Sequence, residues 1–178
     1  MHPNPAFAWT SWDEMLEFVS EHPFAHIFTV GDDGLFVIHV PVLVTSEGRV
    51  WFHISRRNRA ASHIEGRHVL ISIVGREGYH SANWYASRNQ VPTWHYEAVE
   101  IEGDARTLPA DGLVELLDRL SDRMEAQYSP EQPWTRAKME AGKFEALTNA
   151  IVGFEVTPTA IRGTRKFNQH RVGADLKA

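Results

Sequence analysis

Residues 35–44 read Leu35-Phe36-Val37-Ile38-His39-Val40-Pro41-Val42-Leu43-Val44, and this run narrows the possible architectures. The even positions Phe36, Ile38, Val40, Val42 and Val44 are all apolar, and so are most of the odd ones. An antiparallel strand with one wet face alternates more cleanly than this. Both faces are therefore expected to be covered, one by a barrel core and the other by a helix or a second subunit. Pro41 cannot donate to a ladder, so it should mark an edge or a bulge.

The flanking sequence supplies further strands. Ala25 to Val30 reads as a strand, and Asp32-Asp33-Gly34 gives the turn chemistry of a hairpin into the 35–44 run. Ser46-Glu47-Gly48 turns the chain into a strand from Val50 to Ile54. Val69 to Val74, a strand from about Trp94 to Gly103, and a last long one from Ile151 to Ile161 follow. Helices are predicted at four places. The first runs from Ser11 to Glu21, opened by the capping box Ser11-Trp12-Asp13-Glu14, carrying Met15, Leu16, Phe18 and Val19 on its apolar face, and stopped by Pro23. A short helix capped by Asn58 reaches Ile64. One carries Leu113, Leu116, Leu117, Leu120 and Met124 at spacings of three and four. The fourth opens near Pro133 and ends about Thr148. With no repeat, low-complexity tract or linker, residues 1–178 read as one α+β domain built on an antiparallel barrel.

Composition removes several function classes. The chain has 178 residues and no cysteine, which excludes disulfides, thiolate catalysis and cysteine-ligated zinc. The amino terminus lacks a secretory layout and no 18 apolar residues run together, so a soluble, cytoplasmic protein is expected. A formal net charge of -5 argues against a chain dominated by nucleic-acid phosphate contacts. The Leu113 helix offers Glu115, Asp118 and Asp122 on its polar positions rather than a basic recognition surface. Walker, Gly-x-Gly-x-x-Gly and Gly-x-Ser-x-Gly patterns are absent, and so is HExxH. Pro23 breaks the helix that could have brought His22 and His26 together. No metal site is expected.

Two stretches carry chemistry. Ser81 to Tyr96 gathers Asn83, Trp84, Tyr85, Thr93, Trp94, His95 and Tyr96 around Arg88 and Pro92. Such flat rings with polar handles suit a heteroaromatic ligand, and equally suit ordinary core or interface packing. The bend Ser55-Arg56-Arg57-Asn58, between a strand and a short helix, sets hydroxyl, guanidinium and amide donors together. That is the donor set of a phosphomonoester site, and also the composition of a solvated basic turn.

Motifs distributed along nearly the whole chain connect these stretches. They are His22-Pro23, His39-Val40-Pro41, His53-Ile54-Ser55-Arg56-Arg57-Asn58, Ser81 to Tyr85, Val91 to Tyr96, Ile151-Val152-Gly153-Phe154-Glu155 and Lys166 to Arg171. In these the chain resembles the PaiB-like, FMN-binding negative transcriptional regulators. Their fold is the antiparallel split β-barrel, with peripheral helices, shared with flavin reductases and pyridoxamine-phosphate oxidases. The resemblance implies a homodimer binding FMN at the subunit interface, with its phosphate against Ser55, Arg56 and Asn58. The flavin ring would meet the His53-Ile54 strand and residues of the partner. Ser81, Trp84, Tyr85 and Trp94, with Lys166, Gln169 and Arg171 of the tail, would close the pocket. No catalytic residue is implied, and DNA binding enters by resemblance alone. Ala82, Asn83, Arg88 and His95 depart from the usual pattern and bear on ligand choice. A flavin-dependent oxidoreductase acting on a small aromatic substrate or nicotinamide is the alternative, and a haem-binding or haem-degrading protein a third.

Overall fold

The computed structural model describes residues 1–177. Hairpin chemistry and apolar alternation build the sheet strand by strand. Its strands are β1 (Ala8–Trp9), β2 (Phe24–Gly31), β3 (Gly34–Val44), β4 (Val50–Ser55), β5 (His68–His80), β6 (Thr93–Thr107) and β7 (Ile151–Lys166). The helices are α1 (Trp12–Glu21), α2 (Ala110–Tyr128) and α3 (Lys143–Thr148). All strand pairs are antiparallel, in the order β1-β7-β4-β3-β2-β5-β6, and β6 pairs with β7 to close the ring.

Alternate residues of each long strand point inward. Ile27, Phe36, Ile38, Val42, Phe52, Ile71, Ile101, Phe154 and Val156 fill the barrel, and Phe52 stacks on Phe154 with centroids 5.4 Å apart. Helix α1 closes one end with Met15, Phe18 and Val19. Its Ser11 cap forms as expected, accepting from the Glu14 amide at 3.3 Å. Glu14 does not return the capping bond. Its carboxylate instead accepts from Trp9 Nε1 at 2.9 Å and from Arg165 at 3.3 Å, tying the helix to β1 and β7. Helix α2 packs Leu113 and Leu116 against Leu43 and Leu108 in a second, smaller core.

Three expectations about local structure change. The helix expected from Asn58 to Ile64 is a bend followed by a 3-10 turn at Ala61–His63, and Asn58 Oδ1 accepts from the Ala60 amide at 2.9 Å. Gly66, left-handed at φ 69°, turns the chain just beyond it. The helix expected from Pro133 to Thr148 is a 3-10 turn at Arg136–Lys138 followed by α3, which starts after left-handed Gly142. No residue of that segment is buried, so no apolar stripe holds a longer helix together. Strand β5 runs on to His80 through an irregularity between Val74 and Glu77, where two glycines hide the alternation.

Pro41 lies where β3 changes partners. It is the last residue opposite β2, and pairing with β4 begins at Val42, so Pro41 occupies an edge stretch and withholds no ladder bond from β4. The outer face of the β2–β3 hairpin has no helix over it. Phe24, Phe28, Val30, Leu35 and Val37 are all exposed there, Leu35 at 80%.

A buried ion pair locks the closing strands. Glu97 of β6 is 3% exposed, and its carboxylate accepts from Arg76 Nε at 3.0 Å, with Arg165 at 3.7 Å. Burial alone would raise its carboxyl, but the hydrogen bonds and charge of Arg76 outweigh that and hold it below the usual carboxylate range. Since its value is depressed in the folded chain, its contribution is present above the unfolded value and fades as pH falls. Glu97→Gln should therefore destabilise the protein at pH 7, by about 1–3 kcal/mol, and flatten the loss of stability from pH 5 to 3. Denaturant melts across that range test both effects, and parallel pH profiles for the two proteins would contradict them. Gly103 presses on the Thr157 carbonyl, backbone against backbone, at the β6 register shift. Gly103→Ala should thus cost about 2 kcal/mol or more, read in the same melts.

Candidate functional site

The sheet places the candidate residues in two groups. The first is the bend that follows β4. His53 stands opposite Gly153 of β7, on the outer side of the barrel. Its neighbour Ile54 points into the core, leaving only backbone toward a ligand. The Arg56 amide donates to the Ala150 carbonyl at 2.9 Å, and its Nε donates to the Asn149 carbonyl at 3.1 Å. The first bond fixes the backbone of the bend, and the second orients the guanidinium through Nε. Ser55 Oγ accepts from the Arg57 amide at 3.2 Å. Arg59 is drawn away, over the Phe36 ring at 4.8 Å.

Arg56 borders two cavities. One, of about 330 Å³, is lined by Ala61, Ser62, Thr107, Val152 and Phe154; the other, of about 210 Å³, lies toward Leu113, Thr148 and Asn149. Gly153 lies between the second cavity and α2, where a β-carbon would meet Leu108 and Leu113 at 3.1 Å. His53 Nδ1 is buried without a hydrogen-bond partner, and burial lowers the imidazole from its usual value, favouring the neutral ring. A guanidinium fork, a hydroxyl and an amide beside an unpaired imidazole nitrogen fit a phosphomonoester and the polar atoms attached to it. An anion here would have to be held by side chains and loop amides, since the short turn after Asn58 contributes little dipole.

The second group forms around the 81–92 loop and the tail. Ser81 Oγ accepts from the Asn83 amide at 3.2 Å and opens a 3-10 turn that ends at Trp84. Tyr85 is buried, and its hydroxyl donates to Asn168 Oδ1 at 2.9 Å. His95 Nε2 lies 3.2 Å from the same oxygen, so the imidazole donates from that nitrogen. His80 packs against Trp84, Tyr85 and His95 with centroids 5.1, 4.6 and 4.5 Å away. The Arg171 guanidinium lies 5.0 Å over the Tyr85 ring. Lys166 Nζ donates to Thr93 Oγ1 at 2.6 Å, and Gln169 ties the tail to the Ala6 carbonyl at 3.2 Å. Trp94 donates to Glu77 while half its surface stays exposed, and Trp84 is 58% exposed.

Burial, reinforced by the neighbouring His80, lowers His95 from the usual imidazole value. Three buried nitrogens here have no hydrogen-bond partner: His80 Nε2, Asn168 Nδ2 and Arg171 Nε. With Lys166 and His170 nearby the cluster is rich in donors and positive charge, a setting that suits electron-rich edges and planar rings. His80 and Asn168 were not singled out from sequence. A partner fifteen or more residues away is what gives each of them its place, and only the left-handed Asn168, at φ 64°, leaves a local trace.

One chain does not bring the two groups together. Gly153, beside the bend, and Lys166, beside the tail, are thirteen residues apart on β7, about 40 Å of strand. Among the described residues no three histidine or carboxylate side chains are arranged to hold a metal ion, and no helix is long and apolar enough to cross a membrane.

The family described as "Putative FMN-binding domain" matches residues 1–160. Protease synthase and sporulation protein PAI 2 of Bacillus subtilis (strain 168) is 28% identical over 173 residues, 95% of this chain and 82% of that protein. A conserved hypothetical protein of Mycobacterium tuberculosis superposes with a TM-score of 0.67 at 14% identity, covering 97% of this chain and 95% of the other. The flavocytochrome Anf3 of Azotobacter vinelandii gives a TM-score of 0.63 at 14% identity, over 97% of this chain and 73% of that one. At such identities the structural matches speak for the fold, an antiparallel split barrel of the α+β class. With 160 consecutive residues matched, the chain belongs to the PaiB-like FMN-binding family, and its cofactor is FMN.

Proposed function

We propose that the protein is a homodimeric regulator whose FMN lies at the subunit interface, its phosphate held by Ser55, Arg56 and Asn58. The observation that carries this reading is Arg56 itself, whose Nε is fixed on the Asn149 carbonyl and which lines two cavities. FMN supplies redox and ring-stacking chemistry when bound. The chain's own part is to bind and orient it. His53 would offer an unprotonated nitrogen to the polar part of the ligand, and Ile54 only its backbone.

Two features support a second copy. Exposed Phe24, Phe28, Val30, Leu35 and Val37 form a contiguous apolar face on one hairpin, the kind of patch that a soluble chain covers with a partner. The aromatic group with Trp84, Tyr85, Trp94 and the Lys166, Gln169 and Arg171 tail is remote from the bend of its own chain. A two-fold partner is the economical way for it to close a flavin pocket, with Ser81 holding the turn that carries Trp84. Regulation would then work through flavin state and protein contacts, from a cytoplasmic location. Direct DNA reading has little support, because the α2 acids Glu115 and Asp118 are already paired with Arg119 and Arg136 and leave no basic face there.

FMN and riboflavin titrations followed by flavin fluorescence test the assignment, because the two ligands differ only in the phosphate. Arg56→Ala should weaken FMN by about tenfold to hundredfold, the worth of a charge-assisted bond, and leave riboflavin unchanged. Equal loss of both ligands would remove Arg56 from the phosphate site. Trp84→Ala and Trp94→Ala should weaken both ligands alike, and should do so only under conditions where the protein sediments as a dimer. Unchanged binding of both ligands would place the flavin elsewhere.

A further inference from the structure

The outer face of the β2–β3 hairpin is apolar in three of four cross-strand rows and imidazole in the fourth. Phe24 stands opposite Pro41, Phe28 opposite Val37 and Val30 opposite Leu35, while His26 stands opposite His39. The two imidazoles meet edge to face with centroids 4.8 Å apart, and the Phe24 ring lies 6.5 Å from His26. They occupy the second of the four rows, between Phe24–Pro41 and Phe28–Val37.

Little around them could compensate a charge. On β5 the residue opposite His26 is Ser72, flanked on the same face by Leu70 and Val74. Beyond Ser72 comes Glu100 of β6, already engaged by Arg162 at 3.6 Å. On β3 the flanking residues are Val37 and Pro41, and the β4 pairing starts only at Val42. The ion-paired histidines among the described residues are His63 and His68, away from this face.

Resting on the homodimer reading above, we infer that the His26–His39 pair makes assembly of the two copies depend on protonation, favouring the dimer at neutral pH and opposing it in mild acid. Two neutral imidazoles can enter an apolar contact, because one ring's edge rests on the face of the other and neither carries a charge to be desolvated. A single proton puts an unpaired charge into that contact, and two put like charges about 5 Å apart. A two-fold contact repeats the cost on the partner's copy of the pair. In the separated chains the same rings face water, which solvates a charge that the apolar contact does not. The free chains therefore bind more protons than the dimer, so dissociation grows as pH falls through the range in which imidazoles take up protons. If one imidazole per chain must shed its proton on assembly, the dissociation constant should rise about 100-fold from pH 7.5 to 5.5; if both must, the rise is on the order of 10⁴.

Sedimentation equilibrium of the full chain with FMN in excess, at pH 7.5 and 5.5, measures this. The wild type should weaken by about 100-fold or more. The double variant His26→Thr/His39→Thr keeps a cross-strand pair that sheets accept and should hold its dissociation constant within about threefold over that range. A wild-type dimer of equal affinity at both pH values overturns the inference alone, as does a double variant that keeps the full pH effect. A wild type that is monomeric at pH 7.5 overturns the homodimer reading and this inference with it. Near-ultraviolet circular dichroism should remain native at pH 5.5, and loss of that signal in step with dissociation would overturn the inference in favour of acid unfolding.

Discussion

Strand β7 is the constraint on which the other features depend. Its residues Phe154, Glu155 and Val156 pair on one side with Phe52, Trp51 and Val50 of β4, and on the other with Thr107, Arg106 and Ala105 of β6. This double pairing closes the barrel. It also fixes both candidate groups, because the segment before β7 receives Arg56 through the Ala150 and Asn149 carbonyls, and the strand's far end delivers Lys166 and the tail. Bonds at each end of one strand thus position both groups. Closure demands close approach, which is why Gly103 has no room for a side chain beside Thr157.

Much of this was legible in the sequence wherever one local rule operates alone. Asp32-Asp33-Gly34 turns a hairpin, Ser11 caps a helix, and the doubly apolar run from Leu35 to Val44 becomes β3 with Phe36, Ile38, Val40 and Val42 in the core. The bend at Ser55 to Asn58 was legible as a turn, because polar and basic residues there follow directly on the apolar strand that becomes β4. Competing long-range effects hid the rest. Gly75 and Gly78 mask the continuation of β5, and the close packing of Phe18 and Glu97 over Gly75 explains the first glycine only once the sheet is folded. The helical reading of 133–148 followed a local pattern that meets no core surface, so the chain keeps only short turns there.

The charge distribution follows the same division of labour. The chain as a whole is acidic, yet its arginines are placed one at a time. Arg165 lies 3.3 Å over the Trp9 ring and Arg59 over Phe36, while Arg76 and Arg162 hold carboxylates of β6. Arg56 is different: among the described residues its guanidinium hydrogen-bonds only to a backbone carbonyl. A carbonyl positions a guanidinium without neutralising it, so its positive charge is left uncompensated. That distinction separates Arg56 from the structural arginines more firmly than its place in an arginine run.

The aromatic end is organised by a single amide. Asn168 Oδ1 accepts from the Tyr85 hydroxyl of the 81–92 loop and from His95 of β6, while Asn168 itself belongs to the tail. Neither loop nor tail has an extensive apolar core of its own, and each is tied to the other through that oxygen and through Ser87, whose amide donates to Asp175 at 3.0 Å. Their stabilities are therefore coupled: whatever orders Trp84 and Tyr85 also orders Arg171, which lies over the same tyrosine. The coupling needs no movement of the barrel, because β6 and β7 are already paired from Thr107 to Lys166.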